Sequence, residues 1–275
     1  MSLSNSLTRV IVAVLAIPLI LAVCYFGKYY FLAFALSIAL LSFHEFSLMA
    51  KTKGMNLNLW VGFPGIIFII LNQYFHFSLD NYHFLILYAV ITCLIELFRN
   101  NGSAIQNLSG TLFGVIYMGL FAASLIGLRE FYSPFGEQYF KGGFLIISVF
   151  VSIWICDSAA YYGGTALGKH RLFLRVSPKK SWEGALFGFV FAVLTMIAAK
   201  FILLGFLDWN TIIVLGVIVG IIGQLGDLVE SLFKRDAQVK DSSNIIPGHG
   251  GIFDRFDSVL LTSPVIFLYL TYVKW

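Results

Sequence analysis

Apolar residues gather into about nine stretches of broadly ~17–25 residues, the length a bilayer demands of a helix. They run over residues 9–26, 29–49, 58–73, 83–98, 108–128, 142–163, 183–205, 209–230 and 255–273. The third and fourth are short, as tilted or re-entrant segments are. The sixth, eighth and ninth turn polar at one end. The outward–inward alternation of a membrane barrel is missing, so no strand is predicted. Repeats, heptads, low-complexity tracts and long linkers are missing too. The pattern predicts an all-α polytopic integral membrane protein with about nine transmembrane helices in one continuous membrane domain. Residues 1–140 read as its scaffold and residues 141–275 as the region that carries the chemistry.

Composition agrees. Of 275 residues, 59% are hydrophobic and 12% charged, with a mean hydropathy of +0.87; soluble domains carry roughly 25% charged residues. A net charge of +4 is too small to argue for a nucleic-acid partner. Cys24, Cys93 and Cys156 all lie within apolar stretches, without a CxxC or Cys/His spacing. That excludes a disulfide framework and a zinc site, and leaves them as apolar fillers. Arg9 before an apolar run resembles a signal peptide, and Leu21 to Cys24 a lipoprotein cleavage box. Val23 is wrong for that box and further spans follow at once, so the segment reads as a retained first span.

Sidedness follows from Lys and Arg in the connections. With nine spans, thirteen of the 18 basic residues fall on one side and five on the other. The rich side holds the N-terminus and the loops 169–180 and 234–255, which places them in the cytoplasm. Nine of the 18 lie in these two loops. Asp157, Glu183, Asp227, Glu230, Asp236, Asp241, Asp254 and Asp257 lie beside them. Positive-inside bias explains the bases. It does not explain carboxylates at the ends of apolar helices, where ionised groups are costly and usually functional.

Three segments concentrate this chemistry. The first runs from Asp157, which closes the sixth span, through Gly163-Gly164 to Ser177-Pro178-Lys179-Lys180-Ser181-Trp182-Glu183. Ser181 has the character of an N-cap, with Glu183 in the first turn. A basic loop with a helix cap accounts for these residues; so does a phosphate site at a helix N-terminus using Lys179 and Lys180. In the second segment, Gly223 to Arg235, helical spacing puts Asp227, Glu230 and Ser231 on one face. Glu230 and Lys234 read as an exposed i,i+4 ion pair, whereas Asp227 sits among Gly, Leu and Val. In the third, Pro247, Gly248, Gly250 and Gly251 surround His249 in a turn whose N–H groups suit an anion. Asp254 and Asp257 follow on one helical face. They either complement the helix dipole or bind Mg²⁺ together with substrate phosphates. His249 is as well explained by a turn hydrogen bond as by catalysis.

Acids mixed with several bases suit the joining of two anionic phosphates. Two unit charges at 4 Å interact by about 4 kcal/mol at an effective dielectric of about 20, so a divalent metal and Lys or Arg are needed. An attacking phosphate oxygen is already ionised and needs no general base. The chain shows no Ser/His/Asp triad and no GxxxxGK[ST] loop.

Ser231-Leu232-Phe233-Lys234-Arg235, four residues, Lys240-Asp241, five residues to Pro247, and then His249-Gly250-Gly251-Ile252-Phe253-Asp254-Arg255-Phe256-Asp257 resembles the signature of the phosphatidate cytidylyltransferase (CDP-diglyceride synthase) family. Asp157, Ser177 to Ser181 and Gly226-Asp227 also resemble family elements, so the likeness spans roughly the C-terminal 40% of the chain. It implies CTP and phosphatidate as substrates, and CDP-diacylglycerol and pyrophosphate as products. It also implies a Mg²⁺ centre, a second cation being left open, in a cytoplasm-facing cavity of the inner membrane that opens to lipid. Carried over, Asp227, Asp254 and Asp257 become metal carboxylates, with Lys240 and Asp241 beside them in catalysis. Lys179, Lys180, Ser181, Lys234, Arg235, Lys240 and Arg255 would bind substrate phosphates. Asp241, His249, Gly250 and Gly251 would shape the nucleotide pocket, and Asp157 either touches metal or orients a neighbour. A CTP-dependent kinase of membrane lipid alcohols is the rival within enzymes. A transporter is the rival outside them, although the inverted repeats of that class are not evident. A homodimer is left open.

Overall fold

The computed structural model describes residues 5–132, 136–246 and 250–273. Its elements are almost all helical, as the apolar pattern requires: α1 (Asn5–Phe26), α2 (Lys28–Thr52), α3 (Leu59–Phe75), α4 (Asn81–Leu97), α5 (Ala104–Gly114), α6 (Phe121–Arg129), α7 (Gln138–Leu167), α8 (Trp182–Ile202), α9 (Trp209–Ile218), α10 (Gln224–Asp236) and α11 (Phe253–Leu268). Three π-helical segments, Val115–Leu120, Val219–Gly223 and Tyr269–Val273, join or extend them. Among the described residues, and counted with these segments, six helices are long and apolar enough to cross a membrane: Lys28–Thr52, Ala104–Arg129, Gln138–Leu167, Trp182–Ile202, Trp209–Asp236 and Phe253–Val273. Val12–Phe26, Leu59–Phe75 and Asn81–Leu97 are shorter apolar helices. The third and fourth stretches are thus short as helices, 17 residues each.

Side-chain caps mark where several helices begin. Asp80 accepts the His83 N–H at 2.9 Å, Ser181 accepts that of Gly184 at 3.2 Å, and Asp208 that of Thr211 at 2.8 Å. Each satisfies a first-turn donor that the helix itself cannot.

Two expectations are corrected. The loop after α7 contains a short antiparallel hairpin, β1 (Arg171–Phe173) with β2 (Ser177–Ser181). Strands of three and five residues are too short to span a bilayer, and barrel patterning would not reveal them. Asp157 does not close the sixth span, because α7 continues to Leu167. The small residues after Asp157 do not break the helix but let α8 approach. A Cβ at Gly184 would come within 2.6 Å of the Ala160 carbonyl, and one at Gly163 within 2.6 Å of the Phe187 ring.

Two compact units interleave along the chain: Met1–Val23, Gly27–Gly127 and Phe233–Phe256 form one, and Cys24–Phe26, Leu128–Leu232 and Asp257–Trp275 the other. Phe43, Ile66, Ile69, Ile70 and Met118 are fully buried in the first, where Gly62 and Gly114 leave room for the Phe43 ring. In the second, α7 packs along α8 and α8 against α9. There the fully buried Arg129 donates to the carbonyls of Cys24 (2.7 Å), Tyr25 (2.9 Å) and Tyr139 (3.1 Å), and its guanidinium lies 4.1 Å from the centre of the Tyr139 ring.

Candidate active site

The second unit holds an acidic cluster built on α10 and α11. On α10 the apolar Leu225, Leu228, Val229 and Leu232 line one face, while Asp227, Glu230 and Ser231 lie on another at i, i+3 and i+4 spacing. Gly226 lets the two helix backbones meet. A Cβ there would lie 2.8 Å from the Asp257 carbonyl oxygen and 2.9 Å from the Ser258 Cα. As a result Asp227, Glu230 and Asp257 each offer a carboxylate oxygen within 4.8 Å of the others. Glu230 is fully buried and Asp257 is 8% exposed. Ser231 donates to Asp227 at 3.3 Å, and the Ser258 N–H to Asp257 at 2.6 Å. A π-helical turn, Val219–Gly223, leads directly into α10, a distortion frequent beside functional sites.

Lys180 on β2 places its ammonium 2.6 Å from Asp227 Oδ2. Asp157 and Lys180 are near enough to Asp257 for their charges to act on it. Lys179, its neighbour in the strand, is exposed and does not share this position, as alternation of side chains along a strand requires. Ser181 is the buried cap of α8. Glu183 holds the hairpin by accepting from His170 Nδ1 at 2.6 Å.

Beside the cluster, an apolar cleft of about 770 Å³ runs between the hairpin, α8 and α10. Phe173, Val176, Trp182, Leu186 and Phe189 help to line it, and Arg175 is the cation at its wall.

The first unit holds the rest of the signature segment as a knot of carboxylates and loop N–H groups. Asp254 Oδ1 is 2.6 Å from the Lys234 ammonium. Its Oδ2 accepts from the Ser242 N–H (2.9 Å), the Ser242 hydroxyl (2.8 Å) and the Gly251 N–H (2.7 Å). Gly250 has φ +82, and a Cβ on it would meet Asp254 Oδ2 at 2.7 Å, which explains a glycine there. Of the N–H groups expected to cradle an outside anion, that of Gly251 already faces the chain's own Asp254. Arg235, Lys240, Asp241 and Arg255 are exposed, with Arg235 donating to the Val239 carbonyl at 3.2 Å. His249 lies outside the described residues.

The expected carboxylate set thus divides. Asp227 and Asp257 come together, Asp254 is engaged in the loop knot, and the third member of the cluster is Glu230. The i,i+4 spacing predicts an exposed ion pair between Glu230 and Lys234. Instead Glu230 is fully buried, and the Lys234 side chain is 12% exposed with its ammonium on Asp254. Glu45 of α2, which no sequence motif singles out, is fully buried and accepts from Ser242, Ser243, Ile252 and Phe253. A carboxylate inside an apolar span was the available signal.

Three carboxylates, two of them buried, form a hard oxygen donor set suited to a divalent cation such as Mg²⁺. The comparisons with known proteins agree with the chemistry. The chain is 32% identical to the phosphatidate cytidylyltransferase of Synechocystis over 95% of each chain. It is 32% identical to that of Staphylococcus haemolyticus over 94% of this chain and 96% of the relative, and 44% identical to that of Haemophilus influenzae over about half of each, 52% and 51%. The model described as "Cytidylyltransferase family" matches residues 7–273, and the chain belongs to that family.

Proposed function

We propose that this protein condenses CTP with phosphatidate to give CDP-diacylglycerol and pyrophosphate, in phospholipid biosynthesis, at the cytoplasmic face of the inner membrane. The observation that carries this reading is the convergence of Asp227, Glu230 and Asp257 within 4.8 Å, with Lys180 on Asp227, in a cytidylyltransferase-family chain. An ionised oxygen of the phosphatidate phosphate attacks the α-phosphorus of CTP. The new P–O bond forms as the bond to the β-phosphate breaks, and pyrophosphate leaves with that electron pair. No proton need be removed from the nucleophile.

What the chain must supply is charge compensation and alignment. Lys180 sits where an ammonium can pass from a carboxylate to a phosphate. Asp227, Glu230 and Asp257 would hold Mg²⁺, which when bound offsets phosphate charge and polarises phosphoryl oxygens. The exposed Lys240 and Asp241, with Gly250 and Gly251, belong to the loop assigned to the nucleotide. The cleft of about 770 Å³ suits acyl chains, with Arg175 placed to meet a lipid headgroup. Burying each methylene there is worth about 0.8 kcal/mol.

The test uses purified protein, phosphatidate, Mg²⁺ and CTP labelled at either the α- or the γ-phosphate. The reading expects α-label in a CDP-lipid and γ-label in pyrophosphate. Label from the γ-position in a phosphorylated lipid would move the protein to the kinase class, and no transfer from either position would end the proposal.

A further inference from the structure

Glu45 stands in the C-terminal half of α2 (Lys28–Thr52), 197 residues before the nearest of its partners in sequence. Its two oxygens are each used twice. Oε1 accepts from the Ser243 hydroxyl at 2.6 Å and the Ile252 N–H at 2.9 Å. Oε2 accepts from the Ser242 hydroxyl at 2.9 Å and the Phe253 N–H at 2.7 Å. Ile252 immediately precedes α11 and Phe253 opens it, so two N-terminal donors that no helix can satisfy internally are met by a carboxylate from α2. The fit leaves no slack: a Cβ on Gly251 would lie 2.5 Å from Glu45 Oε2. The Ser242 hydroxyl has one proton and lies between Glu45 Oε2 and Asp254 Oδ2, at 2.9 and 2.8 Å. Glu45 and Asp254 are thereby joined through one serine.

We infer that Glu45 is a positioning residue for the reaction, tying Ser242 and Ser243 to the backbone at Ile252 and Phe253 in the arrangement that receives the nucleotide. The inference rests on the assignment of the loop with Lys240, Asp241, Gly250 and Gly251 to the nucleotide under the proposed function. Glu45 touches no reacting atom; it fixes the backbone that carries Gly250 and Gly251 next to Lys240 and Asp241. An isosteric amide cannot replace it. Each carboxylate oxygen faces one backbone N–H whose direction cannot be reversed, so either orientation of a glutamine sets an NH₂ against a donor.

The experiment is steady-state kinetics on the full-length purified protein, varying CTP and phosphatidate separately, for Glu45→Gln, Glu45→Asp and, as a check on the loop itself, Lys240→Ala. Glu45→Gln is expected to elute as folded protein with unchanged helicity. Its KM for CTP should rise by about tenfold and its kcat/KM for CTP fall by ~10–100-fold, the scale of supporting-shell losses, while KM for phosphatidate moves less than about twofold. Glu45→Asp keeps the charge and should recover part of the loss. A lower kcat with both KM values unchanged would mean a merely structural role and overturn the inference. An unchanged KM for CTP in Glu45→Gln alongside a raised one in Lys240→Ala would also overturn it, with the loop's assignment intact. An unchanged KM for CTP in Lys240→Ala would instead remove that assignment and the inference with it. If Glu45→Gln does not fold, Ser243→Ala, which deletes one of the four bonds, decides. A rise in KM for CTP of about threefold supports the inference, and an unchanged KM overturns it.

Discussion

Lys180 Nζ and Asp227 Oδ2 lie 2.6 Å apart, joining the β-hairpin to the acidic face of α10. Neither side chain is deeply buried, at 29% and 36% exposure, so the pair is weak as a source of stability. Its value is chemical: an ammonium held on Asp227 and close enough to act on Asp257 can follow negative charge as phosphates enter.

Lys180→Met should lower turnover by about 10²–10³-fold, as the loss of one preorganised charge donor does. Lys179→Met should cost about tenfold at most, because its side chain is exposed and turned from the cluster. Rates of CDP-lipid formation for the two variants check this. Equal losses would show that the structure separates the two lysines wrongly.

Gly226→Ala forces a methyl to within 2.8 Å of the Asp257 carbonyl. Overpacking of this kind costs about 1–3 kcal/mol and spreads α10 from α11. Thermal unfolding in detergent should show a lower midpoint, and turnover should fall further than stability alone accounts for. A variant as stable and as active as the parent would contradict the close approach of these helices.

Arg129→Met leaves the carbonyls of Cys24, Tyr25 and Tyr139 without the donors they now have from this side chain. The loss should be of the order of 3 kcal/mol, since these are hydrogen bonds to a charged group. Arg129→Lys should rescue little, because a point charge cannot span the directions of the planar fork. Activity per folded molecule is expected to stay near normal. Unfolding midpoints together with turnover of the folded fraction measure both.

The apolar spans were legible because burial in lipid is written residue by residue, and each long apolar run became a helix close to its expected bounds. The cap at Ser181 was legible for the same reason: a local motif needs only local sequence. The hairpin at 171–181 was not, since its strands are three and five residues long and carry no alternating apolar face. Asp227 stood out as an acid among apolar residues near a span end and Asp257 through the family resemblance, and the structure brings these two carboxylates together. Glu230 was missed because Lys234 four residues later supplied a cheaper local explanation; only tertiary packing shows that one is buried and the other turned to Asp254. Asp254 shares a helical face with Asp257 by its i,i+3 spacing, but that spacing does not encode the Ser242 and Gly251 donors and the Lys234 ammonium that engage it. Glu45 required contacts across almost 200 residues, which periodicity along a chain does not encode.

The assignment of Asp227, Glu230 and Asp257 as the metal-binding carboxylates is tested most directly by the Mg²⁺ dependence of turnover in the parent, Glu230→Gln and Asp254→Asn. Glu230→Gln should raise the Mg²⁺ concentration for half-maximal rate by about tenfold or more. Asp254→Asn should leave that concentration within about twofold while lowering the unfolding midpoint, because it weakens the pair with Lys234. The reverse pattern, an unchanged Mg²⁺ requirement in Glu230→Gln and a raised one in Asp254→Asn, would contradict the account.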